Sequence, residues 1–142
     1  MSYGKLGPLE VLEKPLTLYK VVRADPNEPL KRRDPVSHRR TMPTVFMSGF
    51  NPYNRGYVKA GGKGDVVTYI VGDTVYSPFN FTLGFFTYHN KTIARRRYHG
   101  NGRDYILTCI APAGSTIRRD ISHPDQVYAE ELLIVKAERR NR

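Results

Sequence analysis

Short runs of mainly apolar residues recur along the chain, and these runs predict β-strands. The clearest are residues 16–23, 104–111 and 131–135, which are rich in β-branched and aromatic side chains. Residues 79–88 alternate aromatic with small polar residues and predict a further strand. Glycine, proline and asparagine lie between these runs, so several short strands joined by turns are expected.

Other segments predict some helix beside the strands. Residues 90–98 predict a helix with Asn90 as its N-cap. Residues 66–71 predict either a strand or a turn of buried helix, because periodicity does not separate the two over so short a run. The basic residues 31–40 predict an exposed loop or a short helix.

The whole pattern therefore predicts an α+β fold, rich in β-structure and carrying a few short helices. With 142 residues the chain fits one domain, and it contains no internal repeat. We expect that domain to cover residues 1–142, with a lead-in at 1–15 and a polar tail at 136–142.

Charge and cysteine content narrow the possible partners. The formal net charge is +10, from 23 Lys and Arg against 13 Asp and Glu, which favours an anionic partner. The single cysteine, Cys109, excludes an internal disulfide, and its apolar neighbours predict burial as a small hydrophobic residue. The histidines are too widely spaced to predict a metal site, and the glycine pattern fits no phosphate loop or dinucleotide fingerprint.

The N-terminal segment also bears on location. Residues 1–14 lack the apolar stretch of a signal peptide, and no run is long enough to span a membrane. We expect a soluble protein without a membrane partner. It would act in the cytoplasm of a target cell after delivery, or be secreted as part of a larger chain.

Three sites carry side chains suited to chemistry. Arg23 ends an apolar strand, where a guanidinium can hold a diphosphate or form an ion pair with Asp25. Thr87 offers a hydroxyl beside aromatic residues in a segment that begins with Gly84, although such a segment is equally typical of a core strand. Glu131 opens an apolar strand, where a carboxylate is held rigidly or is simply solvated.

In this order the sites resemble the cholera and pertussis toxin family of mono-ADP-ribosyltransferases. Val22-Arg23-Ala24-Asp25 resembles the family's first arginine motif, and Val45–Phe50 its Phe-x-x-Gly-Phe segment. Gly84–Thr87 resembles the approach to its Ser-Thr-Ser motif, although Thr87-Tyr88-His89 keeps only the first hydroxyl. Residues 105–113 resemble its strand ending in Ala-Pro, and residues 122–125 the stretch before its catalytic glutamate.

The resemblance implies a fold, a reaction and a set of roles. The fold would be an ADP-ribosyltransferase-like split sheet around an NAD cleft, and NAD would be the substrate, with no metal. Glu131, or alternatively Glu130, would stabilise the charge that develops on the ribose, Arg23 would hold the phosphates, and Thr87 would brace the glutamate or the ribose. The residues implied to contact NAD are Arg23, Ala24, Asp25, Phe46, Phe50, Phe86, Thr87 and Tyr88. Some NAD glycohydrolase activity is implied as well. The residue two before Glu131 is Ala129, where arginine-modifying members carry Glu or Gln, so an arginine acceptor is not implied.

The acceptor is expected to be a macromolecule, either a nucleic acid such as RNA or DNA or a protein, and the chain would be a toxin or effector domain. An immunity protein or a larger parent chain is a further expected partner. The basic side chains expected to bind the acceptor are Arg95, Arg96, Arg97, Arg118 and Arg119. Two other functions remain open at this stage. One is an RNA-binding module without enzymatic activity, and the other is a ribonuclease toxin that uses His89, His99 or His123 with a carboxylate.

Overall fold

A computed structural model describes residues 6–24, 45–47, 68–77, 84–96 and 105–140 of the chain. These residues form ten strands and one helix. The elements in chain order are β1 (Glu10–Val11), β2 (Leu16–Ala24), β3 (Val45–Met47), β4 (Thr68–Ile70), β5 (Thr74–Tyr76), β6 (Phe85–Tyr88), α1 (Lys91–Arg96), β7 (Tyr105–Ala111), β8 (Thr116–Arg119), β9 (Gln126–Ala129) and β10 (Glu131–Arg139).

The strands form one antiparallel sheet in the order β1-β8-β9-β6-β2-β7-β10-β5, while β3 pairs with β2 and with β4. Neighbouring strands on either side of the β6–β2 junction pair along several residues, but β6 and β2 themselves hardly pair. There the register consists of a single residue pair, Tyr19 with Tyr88. The sheet therefore divides into a first half-sheet, β1-β8-β9-β6, and a second half-sheet, β2-β7-β10-β5.

The connection from β9 to β10 requires the two half-sheets to face each other. Only Glu130 separates the end of β9 at Ala129 from the start of β10 at Glu131. In a flat sheet these strands would be four spacings apart, roughly 19 Å, whereas two residue steps span about 7 Å. The half-sheets must therefore turn sharply at the Tyr19–Tyr88 junction.

The space between the half-sheets holds the main hydrophobic core. Each strand directs alternate side chains inward, so that Leu18 and Val22 of β2 meet Phe85 of β6 and Val127 of β9. The other buried members of this core are Phe46, Tyr69, Leu107, Cys109, Ala111, Ile117, Ala129, Leu132 and Ile134. Removing these apolar side chains from water supplies the main stabilisation that holds the half-sheets together.

Helix α1 covers the opposite, outer face near the junction. The predicted N-cap is confirmed, because the Ile93 amide donates to Asn90 Oδ1 at 3.1 Å. Ala94 is buried in a second cluster with Tyr88 and Ile106. The described residues contain no helix that is long and apolar enough to cross a membrane.

The predicted fold class is wrong. An α+β fold with an ADP-ribosyltransferase-like split sheet and a few short helices was expected, but the described residues are nearly all antiparallel strand with α1 as their one helix. Residues 68–70, within the segment for which strand and helix were both open, form β4. Short alternating runs bury one face each in an antiparallel sheet, whereas a helix needs a longer amphipathic pattern. The predicted loop or helix at residues 31–40 lies outside the described residues.

The ends of the described chain are also part of the sheet. Within the expected lead-in, β1 pairs with β8, with Glu10 opposite Ile117. Strand β10 continues to Arg139, where Arg139 pairs with Tyr105, although a polar tail was expected from residue 136. These polar residues remain in strand conformation because the β7 ladder continues beside them.

Candidate functional site

The strands that carry Arg23 and Thr87 are neighbours in the sheet, together with the strand that follows residues 122–125. β2 carries Arg23, β6 carries Thr87, and β9 begins directly after residues 122–125. The sheet order places them consecutively as β9-β6-β2. Tyr19, Tyr88 and Gln126 therefore meet at the junction of the half-sheets, and Arg23 lies four residues further along β2, where it pairs with Met47.

The centre of this region is a row of paired residues across three strands. Tyr88 pairs with Tyr19 of β2 on one side and with Gln126 of β9 on the other. Residues directly opposite each other in a ladder direct their side chains to the same face of the sheet. Tyr88 is almost fully buried, whereas Gln126 is half-buried.

Thr87 is directed to the other face and has a partner within the fold. Its side chain is fully buried, and its hydroxyl donates to the Val127 carbonyl at 2.8 Å. Thr87 was expected to brace a glutamate or the ribose. In this structure its hydroxyl instead holds β6 against β9 through the Val127 carbonyl.

Of the residues implied to contact NAD, the structure places only some near one another. Arg23 and Ala24 end β2 and pair with Met47 and Phe46 of β3. Phe46 is fully buried, with its ring 5.3 Å from that of Tyr105, so it packs in the core. Asp25 and Phe50 lie outside the described residues.

Glu131 lies far from Arg23. Val22 pairs with Tyr105, which pairs with Arg139 at the end of β10, whereas Glu131 begins that strand and pairs with Tyr76. β10 has 9 residues, and at about 3.3 Å per residue it spans roughly 26 Å. The second half-sheet therefore separates Glu131 from the Arg23 end of β2 by nearly its full length.

Glu130, the alternative glutamate, forms the link between the half-sheets. Its amide donates to the Thr116 carbonyl at 3.2 Å, and its carbonyl accepts from the Ser77 amide at 2.8 Å. The side chain is exposed. The main-chain bonds hold this link in place, and the carboxylate lies next to Glu131, away from the Arg23 end of β2.

Two aspartates that the sequence analysis did not select lie closer to Tyr88. The Asp125 carbonyl accepts from the His89 amide at 2.7 Å, which extends the β6–β9 pairing by one step. Asp120 is buried, and its Oδ1 accepts from the amides of Ser122 at 2.8 Å and His123 at 3.2 Å. The His123 Nδ1 atom is 3.9 Å from the same oxygen. The Asp-x-Ser-His spacing is typical of a turn closed by an aspartate side chain, and this spacing is the sequence pattern by which Asp120 could have been predicted.

No protein-family model, curated protein or solved structure matches the chain.

Two of the arginines expected to bind an acceptor form ion pairs within the fold. Arg95 lies 3.5 Å from Glu138, which also pairs with Lys91, and Arg119 lies 3.2 Å from Glu10. Burial raises the pKa of Glu138, but the Lys91 hydrogen bond and the Lys91, Arg95 and Lys136 charges outweigh it, and the pKa is lowered. These contacts attach α1 to β10 and β1 to β8.

The other expected acceptor-binding arginines differ in placement. Arg96 is exposed at the end of α1, and Arg118 is half-buried on β8 opposite Tyr128. Arg97 lies outside the described residues.

The cysteine is not a reactive centre in the folded chain. Cys109 is fully buried as predicted, and burial raises the pKa of its thiol to about 12, although the Lys20 charge lowers it. A thiol with this pKa is protonated at neutral pH and is a poor nucleophile. The described residues include no group of three or more His, Cys, Asp or Glu placed to hold a metal ion.

Proposed function

We propose that the chain is an NAD-dependent mono-ADP-ribosyltransferase that cleaves NAD and transfers ADP-ribose to a macromolecular acceptor. The observation that supports the proposal is the adjacency of β9, β6 and β2. β2 and β6 carry the first two motifs, and β9 directly follows residues 122–125, which resemble the stretch before the family's catalytic glutamate, whereas Glu131 itself begins β10. The adjacency of β9, β6 and β2 is not required by the sequence order, in which β7 and β8 lie between β6 and β9.

The chemistry requires a carboxylate near the ribose. Cleavage of the bond between ribose and nicotinamide develops positive charge on the sugar, and a fixed carboxylate stabilises this charge more in the transition state than in the ground state. Arg23 would bind the diphosphate through its guanidinium, as arginine does in bidentate phosphate contacts. The acceptor then takes the place of nicotinamide at the ribose.

Asp125 is the candidate carboxylate that lies nearest the Tyr19–Tyr88 junction, and Arg23 lies four residues further along β2 from Tyr19. Asp125 lies next to Gln126, the residue paired with Tyr88, and its main chain is bonded to His89. Glu131 lies at the far end of the second half-sheet from Arg23, as described above. We therefore propose Asp125 as the stabilising carboxylate, with Glu131 and Glu130 as the alternatives that the sequence suggested.

The test measures NAD cleavage and transfer in parallel. NAD labelled in its adenylate half is incubated with the full chain and either total RNA or a cell lysate, and nicotinamide release is followed in the same samples. We expect Asp125→Asn to lower nicotinamide release by roughly 100-fold or more, the loss typical of removing one group that stabilises a transition-state charge. Glu131→Gln and Glu130→Gln are the matched controls, and they should retain most of the activity.

The outcomes separate the reaction from the residue assignment. If Glu131→Gln abolishes release and Asp125→Asn does not, the reaction stands and the assignment to Asp125 fails. If the wild-type chain releases no nicotinamide and labels neither RNA nor protein, the transferase proposal fails.

A second function is favoured by the Asp120–His123 pair. An exposed imidazole can act as a general acid or base, and that of His123 lies 3.9 Å from the buried Asp120 carboxylate, which is beyond hydrogen-bond distance. His89 joins the same end of the first half-sheet through its bond to Asp125. This alternative is a ribonuclease that needs no NAD. It predicts cleavage of RNA by the wild-type chain and loss of cleavage in His123→Ala, and intact RNA after incubation with the wild-type chain contradicts it.

A further inference from the structure

The outer face of the first half-sheet carries a row of aromatic side chains that ends in an arginine. Arg118 of β8 pairs with Tyr128 of β9, and Tyr128 pairs with Phe86 of β6. Their side chains therefore lie side by side on one face. Tyr88 and Gln126 lie beside them on the same face, and we call the five residues together the aromatic row.

Phe86 is the most exposed aromatic residue of this row, and it packs against the cluster of Tyr88, Ala94 and Ile106 beneath α1. Its ring lies between those of Tyr88, at 5.1 Å, and Tyr128, at 5.4 Å. Both tyrosines are 5% exposed, whereas Phe86 is only partly buried. Edge and tilted ring contacts of this kind fix the orientation of the central ring.

The main chain at Phe86 is held from the opposite face as well. Lys20 donates from Nζ to the Phe86 carbonyl at 2.9 Å, and its ammonium lies 5.8 Å from the centre of the Tyr69 ring. Phe86 is therefore a rigid aromatic surface that loses little conformational entropy when a planar group stacks on it.

The positive charge beside Phe86 indicates which kind of planar ligand would stack on it. Arg118 ends the row, and none of the described carboxylates forms an ion pair with it, whereas Arg119, the next residue, is paired with Glu10 on the other face. With a net charge of +10, the chain attracts phosphates. An aromatic surface beside an arginine that can bind phosphate matches a nucleobase and its backbone phosphate.

We propose that the aromatic row binds single-stranded RNA, with a base stacked on Phe86 and a phosphate held by Arg118. Gln126, half-buried on the same face, supplies an amide of the kind that hydrogen-bonds a ribose 2′-hydroxyl, which favours RNA over DNA. The inference goes beyond the transfer reaction, because the binding needs no NAD.

The test uses two neighbouring arginines as a matched pair. A fluorescently labelled ten-nucleotide oligouridylate is titrated with the full chain, and anisotropy gives the Kd at several salt concentrations. Arg118→Gln should raise the Kd by about fivefold and reduce the salt dependence by about one counterion. Arg119→Gln makes the same change in charge one residue away on the opposite face, and it should raise the Kd by less than about twofold.

A second variant tests stacking separately from charge. Phe86→Leu keeps an apolar side chain but removes the aromatic face, and it should raise the Kd on the order of tenfold. Thermal unfolding of each variant shows whether it is folded, and the arginine pair carries the test if Phe86→Leu is not.

Three results would overturn the proposal. The first is an equal loss for Arg118→Gln and Arg119→Gln, which would indicate diffuse charge attraction. The second is binding of oligothymidylate as tight as that of oligouridylate, which would remove the assignment to RNA. The third is no measurable binding by the wild-type chain at low salt. None of these measurements involves NAD, so they are independent of the outcome for the transferase.

Discussion

Tyr19 and Tyr88 form the single residue pair that joins β2 to β6 in the described chain, and so strand pairing between the two half-sheets is limited to one point. Tyr88 is 5% exposed and belongs to the cluster beneath α1, together with Ala94 and Ile106. A strand junction with so little main-chain pairing depends on side-chain packing for its stability.

We therefore expect Tyr88→Ala to lower the free energy of unfolding by about 3–5 kcal/mol, as for other buried aromatic side chains. Tyr88→Phe keeps the ring and should cost about 1 kcal/mol. Urea denaturation followed by circular dichroism measures both. A loss below about 1 kcal/mol for Tyr88→Ala would show that the junction does not depend on this side chain.

Gly84 allows the close approach of β6 to β9. It has φ of 78°, and a Cβ atom there would lie 2.5 Å from the Ala129 carbonyl oxygen. Gly84→Ala should therefore combine an unfavourable left-handed conformation with a clash against the main chain. Gly114 is the matched control, because it has φ of 87° but open space where the Cβ would lie.

We expect Gly84→Ala to cost at least about 2 kcal/mol more than Gly114→Ala in free energy of unfolding. Both variants share the cost of the left-handed conformation, so their difference reports the clash with Ala129. Equal costs would mean that β9 moves away from β6 without penalty.

Glu138 makes the attachment of α1 to β10 dependent on pH. Its pKa is lowered in the folded chain from the ordinary value of 4.5, so its contribution to stability is present above that value and is lost as the pH falls through the lower, folded pKa. Wild type and Glu138→Gln should differ most near neutral pH, by less than about 1 kcal/mol, because the pair is partly solvated. Unfolding of both at pH 7 and at pH 3 measures the difference, and a gap that widens in acid would contradict the assignment.

Cys109 should be inert to thiol reagents while the chain is folded. Its sulfur is buried and its pKa is raised to about 12, so both access and thiolate are lacking. We expect no reaction with a maleimide at pH 8 over the time in which the urea-unfolded chain reacts completely. Rapid labelling of the native chain would mean that β7 opens readily.

The sequence predicted the strands that are long and strongly apolar. β2 and β7 lie within one residue of the predicted bounds, and the capped start of α1 was predicted from Asn90. β8 and β9 were missed because each has four residues, and Arg118 and Arg119 make half of β8 basic. Such strands are specified by their neighbours in the sheet and not by their own propensity.

The structure separates two of the predicted site residues, and register is the reason. A glutamate at a strand start and an arginine at a strand end were expected to meet, but the antiparallel ladders through β7 place Glu131 and Arg23 at opposite ends. Conversely, Asp125 gains its position from pairing with His89, which depends on contacts between distant segments. Register of this kind is set by tertiary packing, and the local pattern does not reveal it.

The order in which the strands of the two half-sheets follow one another along the chain determines how the chain can fold. The first half-sheet takes its strands from β1, β6, β8 and β9, and the second takes β2, β5, β7 and β10, so the two interleave along the chain. No single cut yields a fragment that contains one complete half-sheet and nothing of the other. The described sheet should therefore form in one cooperative step, and its formation should be slow, because nearly every pairing closes a long loop of chain.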